Sequence, residues 1–237
     1  MTEEAPAKVT LGHLVRAERI CARRLRKEHG NTRSNQSSNG RWRVSNRVTE
    51  EIRLAHTDLC APERERFEGT AADLIPEQRS VYELATRWYV TLFTRPVRVV
   101  DEDRWGTDLP GDLRLVGQGG LAFTDSDGEA EIRLLSLDAR PTSEGGLAAR
   151  PGVRFALLRR AEWLRERTVR VAVADLVRGT YEEEVIDTEA AMPEITEWLA
   201  GRLEVIRRRV AQGDAAPGLQ CAWCPYIAGC PPMTGRG

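Results

Sequence analysis

Cys221, Cys224 and Cys230, in the stretch CAWCPYIAGCPP, form C-x2-C-x5-C with Pro231 directly after. Thiolates this close in sequence can share one metal ion or cluster, and cysteine-built sites of that kind take four ligands. The chain has two other cysteines, Cys21 and Cys60, and spacing does not choose between them. Three kinds of chemistry compete. The thiols could be free or buried, since cysteine packs as a small hydrophobe. They could hold zinc, but zinc sites more often show a second C-x2-C or a nearby histidine pair, and His13 and His56 have no such spacing. An iron–sulphur cluster is the reading that the pattern favours.

A second set of residues suits nucleic acid. Between Arg16 and Arg47 ten lysines and arginines face only Glu18 and Glu28. Arg23 and Arg24 belong to this run, and Arg41-Trp42-Arg43 sets an aromatic ring between two guanidinium groups. Arginine neutralises phosphate, and tryptophan can stack on an unpaired base. The plain alternative is a solvated arginine face with Trp42 in the core. Arg207-Arg208-Arg209 would extend such a patch.

These residues need elements to position them. Residues 10–28 repeat apolar positions at helical spacing, with arginines opposite. NTRSNQSSNGRWR (31–43) is polar enough to read as a loop, disordered when free. Helices are predicted over 48–59 and 76–93, the second burying Val81, Leu84, Ala85, Trp88 and Leu92. The period then changes to that of strands, over 95–105, 112–123 and 130–139, with a turn at TDSDGE (124–129). A helix over 153–167, a strand–turn–strand over 169–187 hinged at Arg178-Gly179, and a helix over 192–213 complete the chain. This order predicts a mixed α/β or α+β fold.

Composition bounds the rest. The 237 residues are 41% hydrophobic and 30% charged, and 35 basic residues nearly cancel 36 acidic ones. Net charge therefore points to no partner. MTEEAPAKVT has no apolar segment of the signal-peptide kind, and no apolar run reaches the length of a membrane span. The expectation is a cytoplasmic protein with no membrane association, in which thiols stay reduced and an odd cysteine count suggests no disulfide framework.

Taken together, the residues resemble the RecB-type branch of the PD-(D/E)XK nuclease superfamily. Its iron–sulphur members, the CRISPR-associated RecB-like exonucleases and the AddB nuclease domain, join an N-terminal cysteine in a phrase like C-P-R-R-F to a C-terminal C-x2-C-x5-C-P. Here Cys21-Ala22-Arg23-Arg24-Leu25 and Cys221 to Pro231 match. The resemblance implies a 4Fe–4S cluster on Cys21, Cys221, Cys224 and Cys230, clasping the two chain ends, with Cys60 the odd thiol. It implies a restriction-endonuclease-like core, a mixed β-sheet flanked by helices. One domain would span 10–232: a helical part (10–93), a sheet core (94–190), and a C-terminal helix with the cysteine clasp (191–232). Residues 1–9 would be a disordered N-terminus and 233–237 a tail. LRLVGQGGLAF resembles the family strand G-r-i-D, LLSLDAR resembles v-v-D-y-K, and VRFALLRRAEWL resembles the Q-l-x-x-Y helix.

The family cleaves phosphodiesters with clustered carboxylates that hold Mg²⁺ or Mn²⁺. This sequence departs from that pattern repeatedly. Gly117 matches the motif glycine, but Gly120 stands where the Asp belongs. Asp138-Ala139-Arg140 keeps the second carboxylate and replaces lysine by arginine, which does not readily give up a proton. No histidine lies near Ser45–Thr49, and the Gln and Tyr positions fall near Ala156 and Arg160. The resemblance thus implies a degenerate nuclease without cleavage, with Asp138 and Arg140 as remnants. Such a protein would bind DNA, single-stranded or at duplex ends, or scaffold a helicase, nuclease or defence-system partner. The alternative is an active nuclease with a rearranged Mg²⁺ or Mn²⁺ site, fed by Asp125, Asp127 or Glu131.

Overall fold

The computed structural model describes residues 7–15, 17–19, 40–67, 71–100, 107–109, 113–116, 119–137, 146–165 and 167–212. They fall into two compact units, one of residues 36–104 and 118–193, the other of 1–35, 105–117 and 194–237. Among the described residues no helix is long and apolar enough to cross a membrane.

The larger unit is a mixed α/β structure. Helix α2 (Gly40–Ala55) buries Val44, Val48, Ile52 and Ala55, a stripe spaced by three and four residues. That stripe begins one turn before the predicted helix at 48, so residues 40–43 are helical rather than loop. The helix stops at Ala55, where the His56 ring turns inward. Helix α3 (Pro76–Leu92) starts with Pro76 in its first turn, where a missing N–H costs nothing. Its deepest face is Tyr82, Ala85, Thr86 and Tyr89. Of the stripe expected from sequence, only Ala85 is fully buried, while Val81, Trp88 and Leu92 are partly covered. The face is rotated because tyrosine can go inside when its hydroxyl finds a partner.

A five-stranded mixed sheet packs under these helices. Its strands are β2 (Arg98–Val99), β5 (Leu121–Thr124), β6 (Ala130–Ser136), β7 (Thr168–Asp175) and β8 (Thr180–Asp187), in the order β2-β5-β6-β7-β8. β5 and β6 pair antiparallel across the predicted turn. Asp125 shapes that turn, its Oδ1 accepting the N–H groups of Asp127 and Glu129 at 2.9 Å each, and Gly128 supplies φ +79°. β6 and β7 pair parallel, which requires a crossover, here through helix α4 (Pro151–Arg159). α4 ends at Arg159, short of the predicted 167. β7 and β8 form the expected hairpin, with Gly179 at φ +68°.

The chain leaves β8 into α5 (Thr188–Gln212), four residues earlier than predicted, because Asp187 Oδ1 accepts the N–H groups of Glu189 and Ala190 at 2.9 and 3.3 Å.

The smaller unit contains a three-stranded sheet in the order β1-β4-β3: β1 (Ala7–Val9), β3 (Thr107–Leu109) and β4 (Leu113–Leu115). Ala7–Val9, within the stretch read as a disordered N-terminus, pairs parallel with β4. The segment 112–123, read as one strand, is two: β4 in this sheet and β5 in the other. Short helix α1 (Leu11–Val15) follows β1, and Glu18 pairs with Arg202 of α5. Within α5, Ile195, Leu199, Leu203 and Ile206 form the buried stripe.

Candidate functional site

The position matched to the family's first aspartate is closed to any side chain. Gly120 has φ +80°, and a Cβ there would lie 2.5 Å from the carbonyl oxygen of Arg133. Its β6 neighbour is Leu134, whose Cγ would be 3.3 Å from the same Cβ. Gly119 is close-packed but less constrained, since a Cβ would come within 2.9 Å of the movable Arg160 Nη1 and 3.0 Å of Ala156 Cα.

Arg160 fills the remaining space. It caps α4 and is buried at 5% exposure. Its Nη1 donates to the carbonyls of Gly119 (2.7 Å) and Ala156 (3.1 Å), and Nη2 donates to that of Gly120 (2.9 Å). The residues nearest the family's Gln and Tyr positions therefore form a packed contact between a helix end and a strand.

A polar network lies within the core of the larger unit. Arg133, fully buried, donates from Nε to Glu131 Oε1 at 2.6 Å and from Nη1 to the Tyr89 hydroxyl. Its guanidinium carbon sits 4.4 Å from the ring centre of Phe93 and 4.5 Å from that of Phe123, a cation–π sandwich. The Tyr89 hydroxyl contacts His56 Nε2 at 2.9 Å, and His56 Nδ1 lies 3.1 Å from the carbonyls of Cys60 and Val97. Two carbonyl acceptors assign the proton to Nδ1, so Tyr89 donates to Nε2 and accepts from Arg133. Burial, then the Arg133 charge, pushes the His56 pKa down to about 4. Burial also drives the Tyr89 phenol well above its ordinary value. Both stay neutral near pH 7, and the Arg133 charge is balanced by Glu131.

This network removes Glu131 from the pool of displaced carboxylates, because it is committed to Arg133. Asp125 is committed to its turn and Asp127 sits exposed at the tip. Among the described residues no group of three His, Cys, Asp or Glu could hold a metal ion. Asp138 and Arg140 lie outside the described residues, as do Cys21, Cys221, Cys224, Cys230, Arg23 and Arg24. Cys60 is described; its thiol donates to the Ala55 carbonyl at 3.1 Å and lies 4.0 Å from His56 Nδ1.

Of the nucleic-acid candidates, Arg41 and Trp42 lie in the first turn of α2, with side chains outside the description. Arg43 is exposed and sits 3.5 Å from Asp73, with both side chains more than half open to solvent. Arg47 pairs with Glu51 at 3.0 Å.

Sequence reading missed Arg133, Tyr89 and His56 as one unit. The only local signal was Glu131-Ile132-Arg133, opposite charges two apart on one strand face. Nothing local pointed to Tyr89 or His56. Arg160 was noted for its position in the family motif, not for its role as a helix-end lock.

Comparison with protein-family models finds no match, and comparison with curated proteins finds none either.

Proposed function

We propose that this chain is a nuclease-fold protein that no longer cleaves. It acts as a DNA-binding or scaffolding subunit in DNA processing, repair or phage defence, beside a helicase, nuclease or defence-system partner. The observation that carries this reading is Gly120. A catalytic carboxylate is missing there, and φ +80° with a 2.5 Å approach to Arg133 O leaves no room to regain one. The order of elements in the larger unit supports the nuclease fold: a helix, an antiparallel pair, a crossover helix, then a strand parallel to the pair's second member.

The proposal includes a 4Fe–4S cluster on Cys21, Cys221, Cys224 and Cys230. A donor set of four thiols with C-x2-C spacing suits iron–sulphur chemistry, and Cys60, with its thiol directed at a backbone carbonyl, is the member left over. The cluster would supply a cross-link between distant parts of the chain. Arg23, Arg24, Arg41, Trp42 and Arg43 would meet the nucleic acid, by phosphate neutralisation and base stacking.

The test is incubation of purified protein with single-stranded and duplex DNA and Mn²⁺, beside an Asp138→Ala control. Salt-dependent binding without cleavage is expected, weakened by Arg41→Ala and Arg43→Ala. Cleavage that the Asp138→Ala protein lacks would overturn the proposal in favour of an active nuclease.

A further inference from the structure

We infer that the carbonyls of Gly119, Gly120 and Ala156 form a cation-binding site, selective for a planar guanidinium, whose resident ligand is the chain's own Arg160. Three features build the site. The carbonyl oxygens converge on one head group at 2.7, 2.9 and 3.1 Å. The Ala156 carbonyl belongs to the last turn of α4, where the summed peptide dipoles favour positive charge. The strand side consists of two glycines: at residue 120, with φ +80°, a Cβ would collide with Arg133 O, and at residue 119 it would crowd the guanidinium, 2.9 Å from Arg160 Nη1 and 3.0 Å from Ala156 Cα. Residue 120 must lack a side chain for its carbonyl to reach the cation beside that of residue 119.

The burial of Arg160 makes this more than a surface contact. A guanidinium at 5% exposure is costly to desolvate unless its N–H groups are matched. The three acceptors meet Nη1 and Nη2 together, a fork that the rigid planar donor set of arginine fits and an ammonium does not. Arg160 also donates its own backbone N–H to the Leu157 carbonyl at 3.1 Å, which fixes where its side chain starts. The site therefore joins the end of the crossover helix to the start of β5 through a cation tethered to the chain. Its ligand class is guanidinium rather than a divalent metal, which would demand closer and more numerous oxygens. The inference does not depend on nucleic-acid binding, and its failure would leave the proposed function standing.

The experiment is chemical rescue. Arg160→Ala should lower the melting temperature. Methylguanidinium, at concentrations far below those that denature the wild type, should recover part of that loss. Methylammonium and Mn²⁺ should not, and a preference for methylguanidinium of roughly tenfold in apparent affinity is expected. Equal rescue by methylammonium or by Mn²⁺, or no rescue by any of the three, would overturn it. Should Arg160→Ala not fold, the wild type gives its own readout. Side-chain ¹⁵N spectra, with the signal assigned by loss in Arg160→Lys, should show the Arg160 Nη groups rotating slowly and their protons exchanging slowly. Fast rotation and exchange, as for a solvated arginine, would overturn the inference.

Discussion

His56 is the residue whose chemistry the fold alters most. Its imidazole gives one proton to two carbonyls, receives another from Tyr89, and sits within the field of Arg133, with Arg66 a weaker positive neighbour. The folded pKa, about 4, lies below the ordinary 6.5. The unfolded chain therefore takes up the proton first as pH falls. The contribution of neutral His56 to stability is complete above about pH 6.5 and is lost as pH drops toward 4, by about 3 kcal/mol in all. Urea unfolding of wild type and His56→Gln tests this. The stability gap between them should shrink by about that amount between neutral pH and pH near 4, and a constant gap would show that His56 titrates normally. Arg133 illustrates the same physics from the other side. A buried cation persists because Glu131, Tyr89 and two aromatic faces receive it, and removal of any one partner would leave charge in the core.

Turns and helix ends are where single elements are most exposed to substitution. Gly128 and Gly179 both have positive φ, at +79° and +68°, yet their surroundings differ. A Cβ at Gly128 meets nothing within 4 Å, whereas at Gly179 it would come within 2.5 Å of the Trp88 indole. Gly128→Ala should thus cost only backbone strain, about 1 kcal/mol. Gly179→Ala adds a collision with α3, and should cost at least about 2 kcal/mol more, because the indole belongs to a packed core face and must shift. Chemical denaturation of the two variants gives the comparison, and equal losses would mean that the β7–β8 hairpin does not rest on Trp88. The edge strand β8 also braces the segment that leads into α4. Glu182 receives Arg150 at 2.5 Å, and Glu184 accepts the N–H of Leu147 at 2.5 Å.

For the molecule as a whole, the question is whether one cluster ties together cysteines some 200 residues apart in sequence, Cys21 and Cys221. Anaerobically purified protein should be coloured and contain iron and acid-labile sulphide. Cys21→Ser should lose both and melt at lower temperature, because a cross-link between distant segments restricts the unfolded chain most. Cys60→Ser should keep both. Zinc in a colourless protein would replace the cluster with a different metal, and loss of iron on Cys60→Ser alone would reassign the fourth ligand.

How much of this was legible without coordinates follows the range of the interactions. The TDSDGE turn, the Arg178-Gly179 hairpin, the existence of α3 and the mixed α/β class could all be read from sequence, because each rests on local preference or on a period of two or 3.6 residues. The cysteine spacing was equally plain. Other features required the chain to be folded. The segment 112–123 divides between two sheets, a decision made by which strands it meets and not by its own alternation. α3 turns Tyr89 inward because His56 and Arg133, 33 and 44 residues away, meet its hydroxyl. Gly120 has no room for a side chain, a fact set by the strand register that brings Arg133 O against it. Local chemistry names the residue types; long-range pairing decides which groups face each other, and burial then decides which of them remain charged.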